Sequence, residues 1–400
     1  MNNETRKETQ VLPKDVRYVG ADDLTLPLFE NQYPVQPMGV SYNSYLILDE
    51  KIAVMDSVDA RAADEWLAKL AHELDGRSPD YLVISHMEPD HSGSILRLAE
   101  RYPEMQLVGN TKTFTMLRQF FGAKAPTDDR LLEVGEGETL PLGAHTLHFM
   151  LAPMVHWPEV MVTYEETEKL LFSADAFGRF GSLGRTANAP WAPQARRYYY
   201  NIVGKYGAQV QALLKKASAL EIETICPLHG PVLTGGALAE ALRLYDLWSR
   251  WQSEAPEEIL LAHASIHGNT ARAAELLKQK LEAKGARVTL CDLTTTEVSY
   301  AVANAFYCGK LVLACSTYDG GLFPPMEEFL SHLQAKGFRD RSVGLMENGS
   351  WAPAAARLMR AKLEEMKDLR VCGTVVSLRS ALSPANEAQM DALTTELCAE

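Results

Sequence analysis

From residue 258 onward the sequence alternates between short apolar strands and amphipathic helices, and this alternation limits the possible folds more than any other feature. It predicts strands at 258–265, 287–293, 310–316 and 342–347, and helices at 270–284, 323–336 and 354–366. Strands separated by helices of this length form a parallel sheet with right-handed crossovers. Residues 255–400 are therefore predicted to form a doubly wound parallel sheet of the α/β class.

The first part of the chain has a different, strand-rich pattern. A hairpin is predicted from 40–48 and 51–57, followed by a helix at 61–74, a buried strand at 81–85 and a helix at 94–101. Further strands are predicted at 145–151, 160–164, 169–175 and near 222–227, and a long helix at 236–252. A break at 253–256 separates the two patterns. The sequence thus predicts an α+β domain over residues 1–254.

Composition excludes several classes of function. The 400 residues carry 39 Lys and Arg against 52 Asp and Glu, a net charge of −13, so we expect no nucleic-acid partner. No apolar stretch approaches the length of a membrane span, and the first twenty residues lack the apolar core of a signal peptide, so we expect no membrane partner. The cysteines form no CxxC pair, which argues against a disulfide framework and against a rubredoxin-type module. We therefore expect a cytoplasmic protein. The six cysteines are Cys226, Cys291, Cys308, Cys315, Cys372 and Cys398.

A cluster of potential metal ligands directly follows the predicted strand at 81–85. Buried charges of this kind need partners or a metal ion. Imidazole and carboxylate ligands without thiolates suit iron, manganese or zinc. Further candidates occur downstream, two of them at predicted strand ends. The candidates are His86, Glu88, Asp90 and His91 in the cluster, and His156, Asp175 and His229 downstream.

Seven candidates exceed what one ion takes, and a carboxylate can bridge two ions, so this set predicts a binuclear metal centre. The alternative is a solvated acidic loop with unrelated histidines, and the placement of the candidates after strands favours the metal centre. Other histidines have no such context. We interpret His145 and His148 as ordinary sheet residues and His72 as a solvated helix residue.

Three loops at the predicted carboxyl ends of the parallel strands indicate a second ligand site. The first combines hydroxyl groups, a glycine and backbone amides before a helix, which suits an anion. It matches neither GxGxxG nor GxxxxGK[ST] and has no lysine, so one phosphate monoester is the expected ligand. The same residue types are also common helix caps. This loop consists of Ser265, Ile266, His267, Gly268, Asn269 and Thr270.

The other two loops suit a flat ring attached to that phosphate. Tyr318 and Trp351 can flank such a ring, and the glycines allow the backbone to approach its polar edge. Either aromatic residue alone would more commonly be a packing residue. The loops consist of Ser316, Thr317, Tyr318, Asp319, Gly320 and Gly321, and of Asn348, Gly349, Ser350 and Trp351.

The motif HxExDH resembles the HxHxDH motif of the metallo-β-lactamase superfamily, with Glu88 in place of the second histidine. This replacement, together with His156, Asp175 and His229, resembles the flavodiiron proteins, also called A-type flavoproteins. The three loops are similar to the FMN loops of flavodoxin-type domains. The resemblance implies a metallo-β-lactamase-like αββα sandwich over 1–254 and a flavodoxin-like doubly wound parallel sheet over 255–400.

The resemblance also implies a function. Members of this family use FMN and two iron ions, a non-haem diiron centre, to reduce dioxygen to water and/or nitric oxide to nitrous oxide. It implies a small diatomic substrate, an external electron donor such as rubredoxin or a reduced deazaflavin, and a head-to-tail homodimer or dimer of dimers. In some members the histidine that matches His91 is not a ligand.

The run Tyr198, Tyr199 and Tyr200 permits two interpretations. The residues pack beside the site, or one phenol lines the substrate pocket and donates a proton or hydrogen bond. We assign the catalytic role to Tyr198.

Two other functions remain open at this point. One is a zinc-dependent hydrolase fused to a flavodoxin-like module, in which the metal activates water. Glu88 argues against it, because a third carboxylate beside Asp90 and Asp175 hardens the site and favours iron. The other is an electron carrier with an inactive metal domain, which the presence of all candidate ligands disfavours.

Overall fold

The computed structural model describes residues 12–399, and the chain divides into two compact units between Asp246 and Leu247. A helix over Gly235–Ser249 crosses this division. The domain boundary predicted at residues 254 and 255 stays a prediction, and it coincides with the start of a strand at Ala255.

From residue 12 onward the first unit contains sixteen strands, and most of its helices are short. Its strands are β1 (Val16–Tyr18), β2 (Ala21–Asp23), β3 (Leu28–Phe29), β4 (Tyr33–Pro34), β5 (Val40–Tyr42), β6 (Tyr45–Ile47), β7 (Ala53–Met55), β8 (Tyr81–Val83), β9 (Gln106–Gly109), β10 (Leu131–Glu133), β11 (Thr139–Pro141), β12 (Thr146–Leu151), β13 (Met161–Glu165), β14 (Leu170–Phe172), β15 (Thr224–Cys226) and β16 (Leu233–Thr234). Its α-helices are α1 (Ala63–Leu74), α2 (Pro89–Ser92), α3 (Ile95–Arg101), α4 (Thr111–Phe121), α5 (Leu183–Thr186), α6 (Trp191–Tyr198), α7 (Gly207–Ala217) and α8 (Gly235–Ser249). Shorter turns are the 3-10 segments Ala60–Ala62, Gly122–Lys124, Asp128–Arg130 and Gly204–Tyr206 and the π turn Tyr199–Val203.

Two six-stranded sheets form the centre of this unit, in the orders β1-β6-β7-β8-β9-β10 and β11-β12-β13-β14-β15-β16. Their inner faces share one apolar core. Tyr45, Ile47 and Met55 of the first sheet belong to the same buried cluster as Phe149 and Phe172 of the second. Burying both apolar faces against each other is what holds two such sheets together.

Helices cover the outer faces. In α1 the buried side chains of Trp66 and Leu70 follow helical spacing, and Trp66 Nε1 donates to Ser44 Oγ at the start of β6. On the other side Tyr245 of α8 accepts a hydrogen bond from the backbone N–H of Phe177, just after β14. The predicted metallo-β-lactamase-like αββα sandwich is confirmed.

The second unit is a parallel sheet wrapped by helices. Its strands are β17 (Ala255–Ala264), β18 (Arg287–Asp292), β19 (Cys308–Tyr318), β20 (Gly321–Leu322), β21 (Arg341–Asn348) and β22 (Leu369–Leu378), and its helices are α9 (Asn269–Ala283), α10 (Val298–Tyr307), α11 (Pro324–Ala335), α12 (Ala355–Glu364) and α13 (Pro384–Cys398). The strand order is β18-β17-β19-β21-β22, with every pair along it parallel, and β20 pairs antiparallel with β19. This order is the flavodoxin-like one, in which the direction of winding reverses between the first and third strands.

The helices lie on both faces of this sheet, as a doubly wound fold requires. Leu277 of α9 and Leu393 of α13 share a buried cluster with Val312 and Met346 of the sheet. The helices α10, α11 and α12 contact one another in turn. The helix α10 packs on β17 and β19, α11 on β17, and α12 on β19 and β21. The predicted flavodoxin-like sheet is confirmed.

Some elements differ from the sequence prediction. The predicted strand 40–48 is two strands, β5 and β6, because β5 pairs with β2 instead of continuing the hairpin. The helix α10, the strand β22 and the helix α13 were not predicted. Within residues 12–399 none of the helices has both the length and the apolar character needed to cross a bilayer.

Candidate metal centre and ligand cavity

Four of the seven predicted ligands lie on one short segment that leaves β8. His86 and Glu88 precede the helix α2, and Asp90 and His91 lie within it. The helix begins at Pro89, whose fixed φ suits the first helical position. The turn is closed by a hydrogen bond from Ser92 Oγ to the carbonyl oxygen of Met87, at 2.8 Å.

The other three ligands come from loops of the second sheet. His156 lies between β12 and β13, Asp175 follows β14 and His229 follows β15. His229 Nδ1 donates to the carbonyl oxygen of Ser41 at 2.7 Å. This contact assigns the proton to Nδ1 and leaves Nε2 free to face the other ligands.

The first donor group consists of His86, Glu88, His156 and Asp175, whose ligand atoms lie within 4.8 Å of one another. His156 Nε2 is 3.0 Å from Asp175 Oδ2 and 3.2 Å from Glu88 Oε2. His86 Nε2 is 3.2 Å from the same glutamate oxygen and 3.3 Å from the same aspartate oxygen. Two imidazoles and two carboxylates therefore face one point.

The second donor group consists of Asp90, His91 and His229. Asp90 Oδ2 is 3.2 Å from Nε2 of each histidine, and the two Nε2 atoms are 3.0 Å apart. Asp175 Oδ1 lies 3.4 Å from His91 Nε2 and 3.5 Å from His229 Nε2. Asp175 thus turns one oxygen toward each group, as a carboxylate that bridges two ions must.

Both donor groups present buried polar atoms of the kinds that bind metal ions. Among the described residues, four buried ligand atoms make no aligned hydrogen bond, although atoms of opposite charge lie within 3.5 Å of them or of their partner oxygen. They are Asp90 Oδ1 and Oδ2, Asp175 Oδ1 and His156 Nε2. Leaving such atoms unsatisfied costs roughly 1–3 kcal/mol each, a cost that a bound cation removes. The donor set of imidazoles and carboxylates fits iron or another borderline-to-hard transition ion.

In the metal-free cluster, the carboxylates stabilise the protonated form of the histidines. Burial lowers the pKa of His91, but Asp90 and Asp175 outweigh it and raise the pKa to about 10. Burial also lowers the pKa of His156, but Asp175 and Glu88 outweigh it and raise the pKa to about 9. Burial lowers the pKa of His86 too, but the nearby carboxylates, chiefly Asp175, raise it well above its usual value.

The carboxyl groups move in the opposite direction. Burial alone would raise the pKa of Asp175, but His86 and His156 hold it well below its usual range. The pKa of Asp90 is lowered in the same way, because His91 and His229 outweigh its burial. Without metal, protonated His86, His91 and His156 thus supply the positive charge that balances the ionised carboxylates, a charge that metal ions would otherwise supply.

Of the three consecutive tyrosines, Tyr198 lies beside the donor groups. Its ring centre is 5.6 Å from that of His229, and its buried hydroxyl has no hydrogen-bond partner in the described part of the chain. Burial and then the charge of Asp175 raise the pKa of Tyr198 well above its usual value, so the phenol keeps its proton. Tyr199 instead packs against Tyr200 and Tyr245.

Sequence reasoning missed Glu159. Its Oε1 accepts from His86 Nδ1 at 2.8 Å and from the backbone N–H of Met87 at 2.9 Å. The sequence does place this carboxylate two residues before the apolar strand β13, where it needs a buried partner, but nothing in the spacing identifies His86 as that partner. Of the other histidines, His145 pairs with Asp49 at 2.9 Å.

In the second unit, a cavity of about 510 Å³ lies at the carboxyl ends of the parallel strands. It is lined by fourteen of the sixteen predicted residues, all except Gly268 and Gly321, and also by Ala352 and Ser380. Gly268 instead is the N-cap residue of α9, with φ of +85°, and its N–H donates to Ser265 Oγ. Thr270 Oγ1 and Ser316 Oγ are 2.8 Å apart, which joins the first two loops.

The edges of this cavity are aromatic. Trp351 is 87% exposed and Tyr318 is 45% exposed, so neither ring is buried in the protein core.

A larger cavity of about 840 Å³ lies in the first unit, between residues 12–22 and the helix α1, and none of the seven candidate ligands lines it.

Comparisons with known proteins agree with both halves of the fold. Residues 40–230 match the family model described as ODP family beta lactamase. The chain is 26% identical over 387 residues to an anaerobic nitric oxide reductase flavorubredoxin of Vibrio vulnificus, covering 94% of this chain and 76% of that protein. It is 27% identical over 344 residues to the flavo-diiron protein FprA2 of Clostridium acetobutylicum, covering 82% and 84%.

A solved structure extends the likeness to the fold of the whole chain. The rubredoxin oxygen:oxidoreductase of Desulfovibrio gigas matches with a TM-score of 0.90 at 24% identity, covering 98% of both chains. Fold and site together define a metallo-β-lactamase-like domain joined to a flavodoxin-like domain. The chain is a homologue of the flavodiiron proteins.

Proposed function

We propose that this protein is a flavodiiron oxidoreductase that reduces dioxygen to water, nitric oxide to nitrous oxide, or both. The position of Asp175 carries this proposal, because its two oxygens face two separate donor groups. A hydrolase with two zinc ions could use a bridging carboxylate as well. However, Glu88 gives the first group a second carboxylate, and the relatives with the same two domains are named as reductases.

The cofactors would be two iron ions and FMN. Iron would bind at His86, Glu88, His156 and Asp175 in one position and at Asp90, His91 and His229 in the other, with Asp175 shared. The loops around the 510 Å³ cavity would bind FMN, its phosphate at residues 265–270. When bound, the irons would bind and reduce the diatomic substrate and the flavin would supply electrons singly.

The protein's own groups would orient the substrate and supply protons. Reducing one dioxygen to two waters consumes four electrons and four protons, and joining two nitric oxides into nitrous oxide and water consumes two of each. Tyr198 has a buried, protonated hydroxyl beside His229 that is not engaged elsewhere. We assign to it the donation of a hydrogen bond or proton to the bound diatomic.

The remaining assignments follow the relatives. A flavorubredoxin and a rubredoxin oxygen:oxidoreductase among them support a rubredoxin-type electron donor, and a reduced deazaflavin is the alternative. We propose a head-to-tail homodimer, which the exposed Trp351 beside the cavity supports as a contact surface. None of the six cysteines, all of which lie within residues 12–399, forms a disulfide, which supports a reducing cytoplasm.

The test is to reconstitute the protein anaerobically with Fe²⁺ and FMN, reduce it through rubredoxin and a rubredoxin reductase, and record consumption of dioxygen and of nitric oxide. We expect a yellow protein with two irons that consumes at least one gas, and a His86→Ala variant that consumes neither. Two zincs, no bound flavin and hydrolysis of a thioester or lactam would support the hydrolase instead.

A further inference from the structure

We propose that Glu159 is a positioning residue that makes the two ion positions unequal, so that the position at His86 takes its ion first and holds it more tightly. This inference rests on the proposed function, since it concerns the same two positions. Glu159 contacts a candidate ligand and not the substrate.

The contact between Glu159 and His86 fixes the orientation of the imidazole. Glu159 Oε1 accepts from His86 Nδ1 at 2.8 Å, and both side chains are fully buried. With its proton on Nδ1, the ring turns Nε2 toward Glu88 and Asp175, 3.2 and 3.3 Å away. A carboxylate behind a ligating histidine fixes its tautomer and increases the basicity of its free nitrogen.

The carboxylate of Glu159 is itself held in place. The same Oε1 accepts from the backbone N–H of Met87, next to His86 in the chain. The carbonyl oxygen of Glu159 accepts from Asn110 Nδ2 at 2.6 Å, and Asn110 also caps the helix α4. The orientation of His86 is therefore tied to two strand ends of the first sheet.

The second donor group has no equivalent support. His229 Nδ1 donates to the backbone carbonyl of Ser41, which is neutral. His91 Nδ1 is buried without a hydrogen-bond partner among residues 12–399. A carboxylate thus directly backs an imidazole at the His86 position, whereas within residues 12–399 none bonds Nδ1 of His91 or His229, so a cation near His86 is attracted more strongly.

The fold alone does not explain the charge on Glu159. Its second oxygen, Oε2, is buried and has no hydrogen-bond partner among the residues that the structure describes, which is costly for a carboxylate. A glutamine would offer the same acceptor to His86 and Met87 and would leave only a neutral amide group unpaired, which costs less than an unpaired carboxylate oxygen. The ionised group is therefore better explained by a cation held near His86.

The variant Glu159→Gln tests this, because it keeps the acceptor and removes only the charge. A matched control is Glu165→Gln on β13, where a fully buried carboxylate accepts from the backbone N–H groups of Thr167 and Glu168, at 2.9 and 2.7 Å. Glu165 is not a member of either donor group. Both variants thus change one buried carboxylate to an amide in the same region of the chain.

The experiment titrates metal-free protein with Mn²⁺, measuring binding by calorimetry and the unpaired spins by electron paramagnetic resonance. For the wild type we expect two binding steps, with a signal from isolated Mn²⁺ after one equivalent and a coupled pair after two. Glu159→Gln should weaken the tighter step by about 10- to 100-fold and leave the weaker step and the Glu165→Gln control unchanged.

Equal affinities in Glu159→Gln and the wild type, or an equal weakening of both steps, would overturn the inference while the proposed metal pair stands. A wild-type protein that never binds two ions would overturn the proposed function as well. If Glu159→Gln does not fold, the variant His91→Asn tests whether the tighter of the two positions is the one at His86. Keeping the tighter step in that variant supports the inference, and losing it overturns the inference.

Discussion

Replacing Asp175 by asparagine should abolish both metal positions at once, a result expected of no other single ligand. Its Oδ2 lies 3.0 and 3.3 Å from Nε2 of His156 and His86, and its Oδ1 lies 3.4 and 3.5 Å from Nε2 of His91 and His229. Asparagine has nearly the same shape but no charge. The substitution therefore tests the bridging role with little change in packing.

The size of the effect can be bounded from these distances. The ligand atoms of the first group lie within 4.8 Å of one another, so an ion among them is nearer than that to the aspartate. At that distance and an effective dielectric of 20, a carboxylate attracts a dication by about 7 kcal/mol. Desolvation offsets part of this, and losing one partner of a buried charge pair costs about 3–5 kcal/mol in net terms. We expect each ion to bind at least ~100-fold more weakly.

The assay is equilibrium dialysis of metal-free protein against Fe²⁺ under anaerobic conditions, with iron measured per protein. Glu88→Gln serves as the control because Glu88 contacts only the first group. We expect Asp175→Asn to lose both irons, and Glu88→Gln to lose mainly one. If Asp175→Asn retained two irons at wild-type affinity, Asp175 would not bridge and the proposed centre would be wrong.

Three further predictions concern pH, the phenol and the phosphate loop. The pKa values of His91 and His156 are raised to about 10 and about 9, so both residues are protonated at pH 7 in the metal-free protein. Metal binding must displace these protons, and we therefore expect metal affinity to rise from pH 7 to 9. Calorimetry in buffers of different ionisation enthalpy measures the protons released. Tyr198→Phe should keep two irons but lower turnover by about 100-fold, measured as gas consumption. Gly268→Ala, at φ of +85° within the predicted phosphate loop, should weaken FMN binding about tenfold by fluorescence titration, whereas Gly285→Ala, at φ of +90° beyond the opposite end of α9, should not.

The ligand candidates could be found from sequence because each follows a short apolar run. A strand end presents its next residues at a sheet edge, and His86, Asp175 and His229 all follow strands in this way. The spacing could not reveal Glu159, since its contact with His86 joins residues 73 positions apart. It also could not decide which tyrosine faces the cluster, because three consecutive residues point in three directions.

The missed elements of the second unit lack the patterns that sequence reasoning uses. The helix α10 (VSYAVANAFY) has few polar residues, so no amphipathic periodicity marks it, and six of its ten residues are buried. The strand β22 is interrupted by Gly373, and its alternation is irregular. In both cases the sheet supplies the stabilising contacts, which a local window of sequence does not contain.

The division of the metal centre into two positions depends on where α2 begins. In a continuous strand, residues 86, 88 and 90 would all project to one side, and one crowded group would result. Glu88 is extended, with φ of −59° and ψ of 141°, as expected before a proline, and the chain turns helical at Pro89. The change in direction sends His86 and Glu88 to one group and Asp90 and His91 to the other. A segment of six residues can thus serve two ions because a helix starts in its middle, and Asp175, from the opposite sheet, lies where the two groups meet.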